Sequence, residues 1–289
     1  MKSKLMSDKL DLCEAEGEAT RVLNRFPFAE LPICPFTIAQ RVGIVVQPKK
    51  SSEPGVSGFL LRVGDTFGIQ YASHITNDGF IRFTVAHELG HYFLPDHASH
   101  LFPQGDGTHS SHSGFVSIDR YERQADYFAS ALLMPEQRFR SELLRAGEGL
   151  EAIEHLAMMF RTSLTATAIN YARFADTPVA IIVSSGRQIE YCFMSDRLRE
   201  LPKIVWIKKG DFLTKSTTTY KFNANIATDK QEKKADGSCT LDDWFDDAPE
   251  IEMSEEVVRL GSYDKTLTVL YTDQDLEDEL ENELEDSDF

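Results

Sequence analysis

No apolar run in this chain approaches the roughly 18 residues needed to span a bilayer, so a membrane-embedded protein is not expected. The first residues, MKSKLMSDKLDLCEAEGEA, contain no apolar core of the secretory kind, and a cytoplasmic location is the expectation. There is no CxxC pair. The four cysteines, Cys13, Cys34, Cys192 and Cys239, are scattered, which fits free thiols in a reducing compartment and not a disulfide framework. Positive charge is scarce, with 30 Lys and Arg against 47 Asp and Glu. That balance argues against broad, sequence-independent nucleic-acid binding, which depends on neutralising phosphates. No solenoid-type repeat is found.

What is present is an ordinary folding composition, 42% hydrophobic and 27% charged over 289 residues, enough for one large domain or two modest ones. The acidic excess concentrates at 273–289, DQDLEDELENELEDSDF, with ten acidic and no basic residues; it reads as a solvated tail. Ahead of it the patterning suggests a first helix through DKLDLCEAEGEATRVLNRF. A short proline-led helix and a strand follow, in LPICPFTIAQRVGIVV. Two strands, VSGFLLRV and FGIQYA, are joined at Gly64-Asp65. The Asn77-Asp78-Gly79 triplet reads as a turn, and residues 95–117 as a long loop rich in Gly, Ser and His. Helices follow up to about Phe174, the last two arranged like a helix-turn-helix but poor in basic side chains. After Asp176 the pattern turns to strands in VAIIVSS, QIEYCFM, IVWIKK and a hairpin over EEVVRLGSYDKTLTVLYT. The polar stretch NANIATDKQEKKADGS reads as a loop. The implied division is 1–135, a helical segment at 136–176, a β-rich domain at 177–272 and the tail at 273–289.

One stretch carries chemistry. In FTVAHELGHYF, His87 and His91 stand four residues apart and share a face one helical turn apart, so both rings can reach one cation. Glu88 is displaced by about 100° around the helix, beside that position and poorly placed to ligate it, which suits a base acting on water. Imidazole and carboxylate donors without redox need point to zinc. A catalytic zinc site needs a third protein ligand. The helix ERQADYFASALLMP offers Glu122, with Asp126 four residues on to hold a second ring nitrogen of a ligating histidine. Asp119, Asp126, His109 and His112 compete with Glu122 for the third place. The histidines of the 95–117 stretch, His97, His100, His109 and His112, otherwise read as surface residues, and one of them, or a loop tyrosine, could stabilise an oxyanion. The strand FGIQYA is taken as an edge able to hold an extended substrate.

RFTVAHELGHYF followed by ERQADYFASALLMP closely resembles the ImmA/IrrE family of zinc metallo-endopeptidases. LPICPFTIAQRVGIVV and LAMMFRTSLTATAINYARF resemble its flanking segments. The resemblance implies an α+β, gluzincin-like peptidase core with zinc held by His87, His91 and Glu122 and with Glu88 as the base. Its members typically cleave a helix-turn-helix repressor encoded beside them, and in some the second domain is similar to a GAF-type sensor. A small molecule or a single nucleic-acid strand would then be the activating signal. The competing expectation is a repressor- or DNA-binding regulator whose zinc site is structural or poorly active.

Overall fold

The structure is a computed structural model that describes residues 2–50, 55–112, 119–201, 204–226, 233–261, 265–272 and 274, with side chains from residue 10 onward. The acidic tail therefore lies outside the described residues, Gln274 excepted. The chain is α+β and divides into two compact units, Met1–Glu142 with Leu156–Ser163, and Leu143–His155 with Leu164–Phe289. No helix among the described residues is long and apolar enough to cross a membrane. All four cysteines are free.

The first unit is built from helices α1 (Lys2–Arg25), α2 (Pro35–Arg41), α3 (Asp78–Phe93), α4 (His97–Leu101), α5 (Arg120–Leu133) and the greater part of α6 (Glu136–Ala146), together with strands β1 (Val45–Lys49), β2 (Val56–Val63), β3 (Thr66–Ala72) and β4 (Gly107–His112). Helix α7 (Gly149–Phe160) gives its first residues to one unit and its last to the other. The sheet runs β1-β3-β2-β4. β1 is parallel to β3, and the other neighbours are antiparallel. Val63 pairs with Thr66 around Gly64, whose φ of 59° suits the tight hairpin that Gly-Asp predicts. β3 lies between β1 and β2, so it is not the edge expected from the sequence; the edges are β1 and β4.

Helix α3 is covered on nearly every side, packing on β2 and β3 and on α5, with Val85, Ala86 and Leu89 fully buried. Its start is fixed by Asn77, whose side chain accepts a hydrogen bond from Phe80 N at 2.9 Å, so the Asn-Asp-Gly triplet is a helix cap and not a turn. It ends at Phe93 because Leu94 precedes a proline and takes an extended conformation, ψ 138°. Helix α5 is capped by Asp119, which accepts from Tyr121 N at 2.7 Å and Glu122 N at 3.3 Å, and it stops before Pro135. Its apolar stripe of Ala125, Phe128, Ala129, Leu132 and Leu133 is fully buried. The expected long loop from 95 to 117 instead supplies α4 and β4; residues 113–118 lie outside the described residues.

The second unit carries α8 (Leu164–Phe174), β5 (Val179–Ser185), β6 (Gln188–Met194), α9 (Asp196–Arg199), α10 (Thr218–Ile226), β7 (Lys234–Thr240), β8 (Glu252–Leu260) and β9 (Lys265–Tyr271). Its antiparallel sheet is ordered β6-β5-β9-β8-β7, over a core that includes Ile182, Leu198, Phe245, Met253 and Leu270. The β8–β9 hairpin follows the expectation. IVWIKK does not form a strand: the segment turns where Lys208 N donates to Asp211 Oδ2 at 2.7 Å, and the residues just after it meet β6, Gly210 N donating to Ile189 O and Ile189 N to Asp211 O, both at 2.8 Å, beside the Gln188–Phe212 bridge. KADGS, expected in a loop, instead forms β7 together with Cys239 and Thr240, because β8 supplies pairing partners along its whole length.

Candidate metal centre

Helices α3 and α5 come close because Gly90 faces Ala125. A Cβ built on Gly90 would stand 3.1 Å from Ala125 Cα and 3.2 Å from its carbonyl oxygen. This approach carries Glu122 to the histidines. His87 Nε2 and His91 Nε2 are 3.1 Å apart; Glu122 Oε2 is 3.4 Å from the first and Glu122 Oε1 3.3 Å from the second. One ligand atom from each of the three lies within 4.8 Å of the others. Ligands bonded at about 2.0–2.1 Å around a tetrahedral zinc stand about 3.3 Å from one another, so this donor spacing fits one small cation.

The electrostatics of the site agree with that fit. Burial would depress His87, but the carboxylates of Asp126 and Glu122 outweigh it and raise its pKa well above the usual value. Burial holds His91 down to about 3, with His87 adding to the effect. Glu122 is raised by burial, yet the hydrogen bonds from His109, His87 and His91 take it far below the carboxylate range. Two carboxylates against a neutral His91 thus favour one positive charge at this point, which either a proton on His87 or a metal cation would satisfy. The second nitrogen of His87, Nδ1, sits 2.8 Å from Asp126 Oδ1, the contact that leaves Nε2 free to ligate.

Glu88 is fully buried beside the ligands. Among the described residues, neither of its carboxylate oxygens, nor the adjacent Ser111 hydroxyl, has a hydrogen-bond partner of ordinary geometry. Burial lifts its pKa to about 7, against the pull of His87, Ser111 and His109. Gly58 of β2 makes the room, since a Cβ there would collide with Glu88 Oε1 and approach Thr84 Cγ2 to 2.7 Å. A buried carboxylate with open lone pairs next to a three-donor cluster is the arrangement of a proton acceptor beside a metal.

The family model of the IrrE N-terminal-like domain, Peptidase_M78, matches residues 39–171, which span α3 and α5 and all four of these side chains. Residues 39–171 are thus similar to the ImmA/IrrE family. The match carries the suggestion of a metallopeptidase-type regulator. A Mycobacterium tuberculosis transcriptional regulator of solved structure is similar in fold, with a TM-score of 0.55 at 14% identity, covering 89% of this chain and 76% of the other. No curated protein matches the sequence.

Within the IrrE-like domain the competitors for the third ligand have other places. Asp119 caps α5, Asp126 bonds His87, and His112 lies exposed at the end of β4. His109 reaches the cluster from β4, with Nε2 3.0 Å from Glu122 Oε1. His97 is not a surface residue: it is 1% exposed and bonds His91 and Gln124. Burial lowers its pKa to about 4. Sequence reasoning missed the roles of His97 and Gln124, and it offered His109 as a rival of Glu122 where the structure makes it a partner. None follows the spacing of the motif, and the elements that carry the two histidines, α4 and β4, have no periodic signature.

Proposed function

We propose that this protein is a cytoplasmic zinc metallo-endopeptidase of zincin-like core that cuts one protein substrate, a helix-turn-helix repressor encoded nearby, and so derepresses stress, defence or mobile-element genes. The single observation that carries the reading is the convergence of His87, His91 and Glu122 on one point, with the fully buried carboxylate of Glu88 beside it. Zinc held there would polarise a peptide carbonyl and acidify water. Glu88, near neutral pKa, takes a proton at its carboxylate and returns it to the leaving nitrogen. Asp126 keeps the proton of His87 on Nδ1. The edge strand β4, which brings His109 to Glu122, offers its free main-chain groups to an extended substrate. We assign residues 136–176 to a helix-turn-helix-like segment and 177–272 to a GAF-like receiver for a small molecule or a nucleic-acid strand.

The test is co-expression of the neighbouring repressor with the wild type and with Glu88→Gln, stressed and unstressed, followed by mass spectrometry of the repressor. Cleavage by the wild type alone supports the reading. A repressor that stays intact under every stress, or is cut equally by Glu88→Gln, sinks it. A second reading, a regulator that binds the repressor or DNA without cutting, is supported by the similarity in fold to the M. tuberculosis transcriptional regulator. It predicts that Glu88→Gln controls transcription as the wild type does.

A further inference from the structure

His87 and His91 differ in how their second nitrogens are held. His87 has a carboxylate, Asp126. His91 has another histidine: its Nδ1 lies 3.0 Å from His97 Nδ1. Two facing ring nitrogens bond only if one carries a proton and the other a lone pair, and nothing in the pair alone decides which. The decision comes from farther along. His97 Nε2 is 3.2 Å from Gln124 Oε1. Gln124 Nε2 in turn donates to Glu14 Oε2 at 2.8 Å and to Asp11 Oδ1 at 3.3 Å, both on α1. Asp11 is 2% exposed and is held by Arg120 Nε at 2.8 Å and Arg123 Nη2 at 3.2 Å.

Carboxylates only accept. The amide NH2 of Gln124 must therefore face Asp11 and Glu14, and its oxygen must face His97. His97 then donates from Nε2 and, as a neutral ring, presents a lone pair at Nδ1. His91 must donate from Nδ1, which leaves its Nε2 unprotonated and pointing at the donor cluster. Reversing any link would put a proton on His91 Nε2, where a ligand needs a lone pair. We propose that Asp11 and Glu14 of α1 set the polarity of a relay, Gln124 to His97 to His91, in which His97 is the positioning residue that keeps His91 in its metal-ligating tautomer. The proposal rests on reading His87, His91 and Glu122 as a metal site, and it adds α1 to the parts that control that site.

The measurement is a long-range 1H–15N correlation spectrum of the histidine-labelled, zinc-loaded wild type, joined to zinc affinity by chelator competition. The expected spectrum shows His97 neutral with its proton on Nε2. The expected affinities fall about 10–100-fold for His97→Leu, the range found when the partner of a ligating histidine is lost. His97→Asn recovers most of that loss, because its side-chain oxygen replaces Nδ1 as acceptor. Asp11→Asn combined with Glu14→Gln frees the Gln124 amide to turn and weakens zinc in the same direction. A proton on His97 Nδ1, or on both nitrogens, overturns the proposal, as does a His97→Leu affinity equal to wild type or a His97→Asn affinity no better than His97→Leu. The spectrum of the wild type decides the matter even if a variant does not fold. A wild type that binds no zinc overturns the metal reading and this proposal together; one that binds zinc with the wrong His97 tautomer overturns this proposal alone.

Discussion

Replacing Glu88 by glutamine in the metal-stripped protein should stabilise it, and increasingly so as pH rises. Burial places the Glu88 pKa at about 7, against 4.5 when exposed. The folded state thus holds the proton more tightly than the unfolded chain. Below pH 4.5 the group is protonated in both states and contributes no penalty. Between 4.5 and 7 the penalty of a buried charge grows, and above 7 it is complete. At about 1.4 kcal/mol per pH unit, the interval corresponds to about 3 kcal/mol. Glutamine is nearly isosteric with the protonated acid, so the variant and wild type should match near pH 4 and separate toward pH 8. The assay is urea unfolding in a chelator, followed by far-ultraviolet circular dichroism, because Trp206 and Trp244 both lie in the other unit and their fluorescence would not report on α3. Comparing two proteins at each pH cancels the titration of the remaining carboxylates. With zinc present the separation should shrink, since a cation beside Glu88 stabilises its charged form. A difference that is flat with pH, or that favours the wild type at pH 8, refutes the reasoning.

The purified protein should carry about one zinc per chain, with Glu122→Ala losing most of it and Glu88→Gln keeping it; metal analysis decides, and full zinc in Glu122→Ala sinks the ligand assignment. Gly90→Val should wedge α3 from α5, costing about 1–3 kcal/mol in stability and weakening zinc binding, as read by thermal melting and chelator competition. Glu255, fully buried, accepts from Thr218 N at 2.9 Å and Thr219 N at 2.6 Å at the start of α10. Glu255→Leu should cost about 1–3 kcal/mol and speed hydrogen exchange in Thr218–Ile226; unchanged exchange there would show that the cap does not hold the helix.

The pieces legible in the sequence are those whose signal is local. The i, i+4 spacing of His87 with His91, and of Glu122 with Asp126, is a property of single helices, and the apolar stripe of α5 announces its buried face. Helix α2 is announced by Pro35, and Gly43, with φ of 77°, stands just past its end. The misreadings share a physical cause, since each segment has a composition that permits one state while the fold provides partners for another. Asn77-Asp78-Gly79 has turn chemistry, but an asparagine side chain caps a helix equally well. Gly107–His112 has little strand propensity and pairs because β2 would otherwise leave an edge open. IVWIKK has the β-branched and aromatic residues of a strand without a partner to pair with along its length. His97 and Gln124 are 27 positions apart, and no pattern of spacing reveals a hydrogen bond of that kind.

The residues between the ligands matter as much to the site as the ligands. Glu88, Leu89 and Gly90 separate the two histidines, and each faces a different neighbour. Glu88 lies against Gly58 of β2, Leu89 is fully buried in the core, and Gly90 lies against Ala125 of α5. Because α3 is enclosed by these contacts, His87 and His91 cannot turn toward water to satisfy their nitrogens and must find partners where the fold puts them. Those partners are Asp126 and His97 on one side and the shared donor cluster on the other. A larger residue at position 58 would displace the Glu88 carboxylate, and one at position 90 would move Glu122 away from the rings, with every ligand still present in the sequence. The motif therefore supplies donors, whereas the two glycines, on a strand and inside the motif itself, set the distances at which those donors act on one cation.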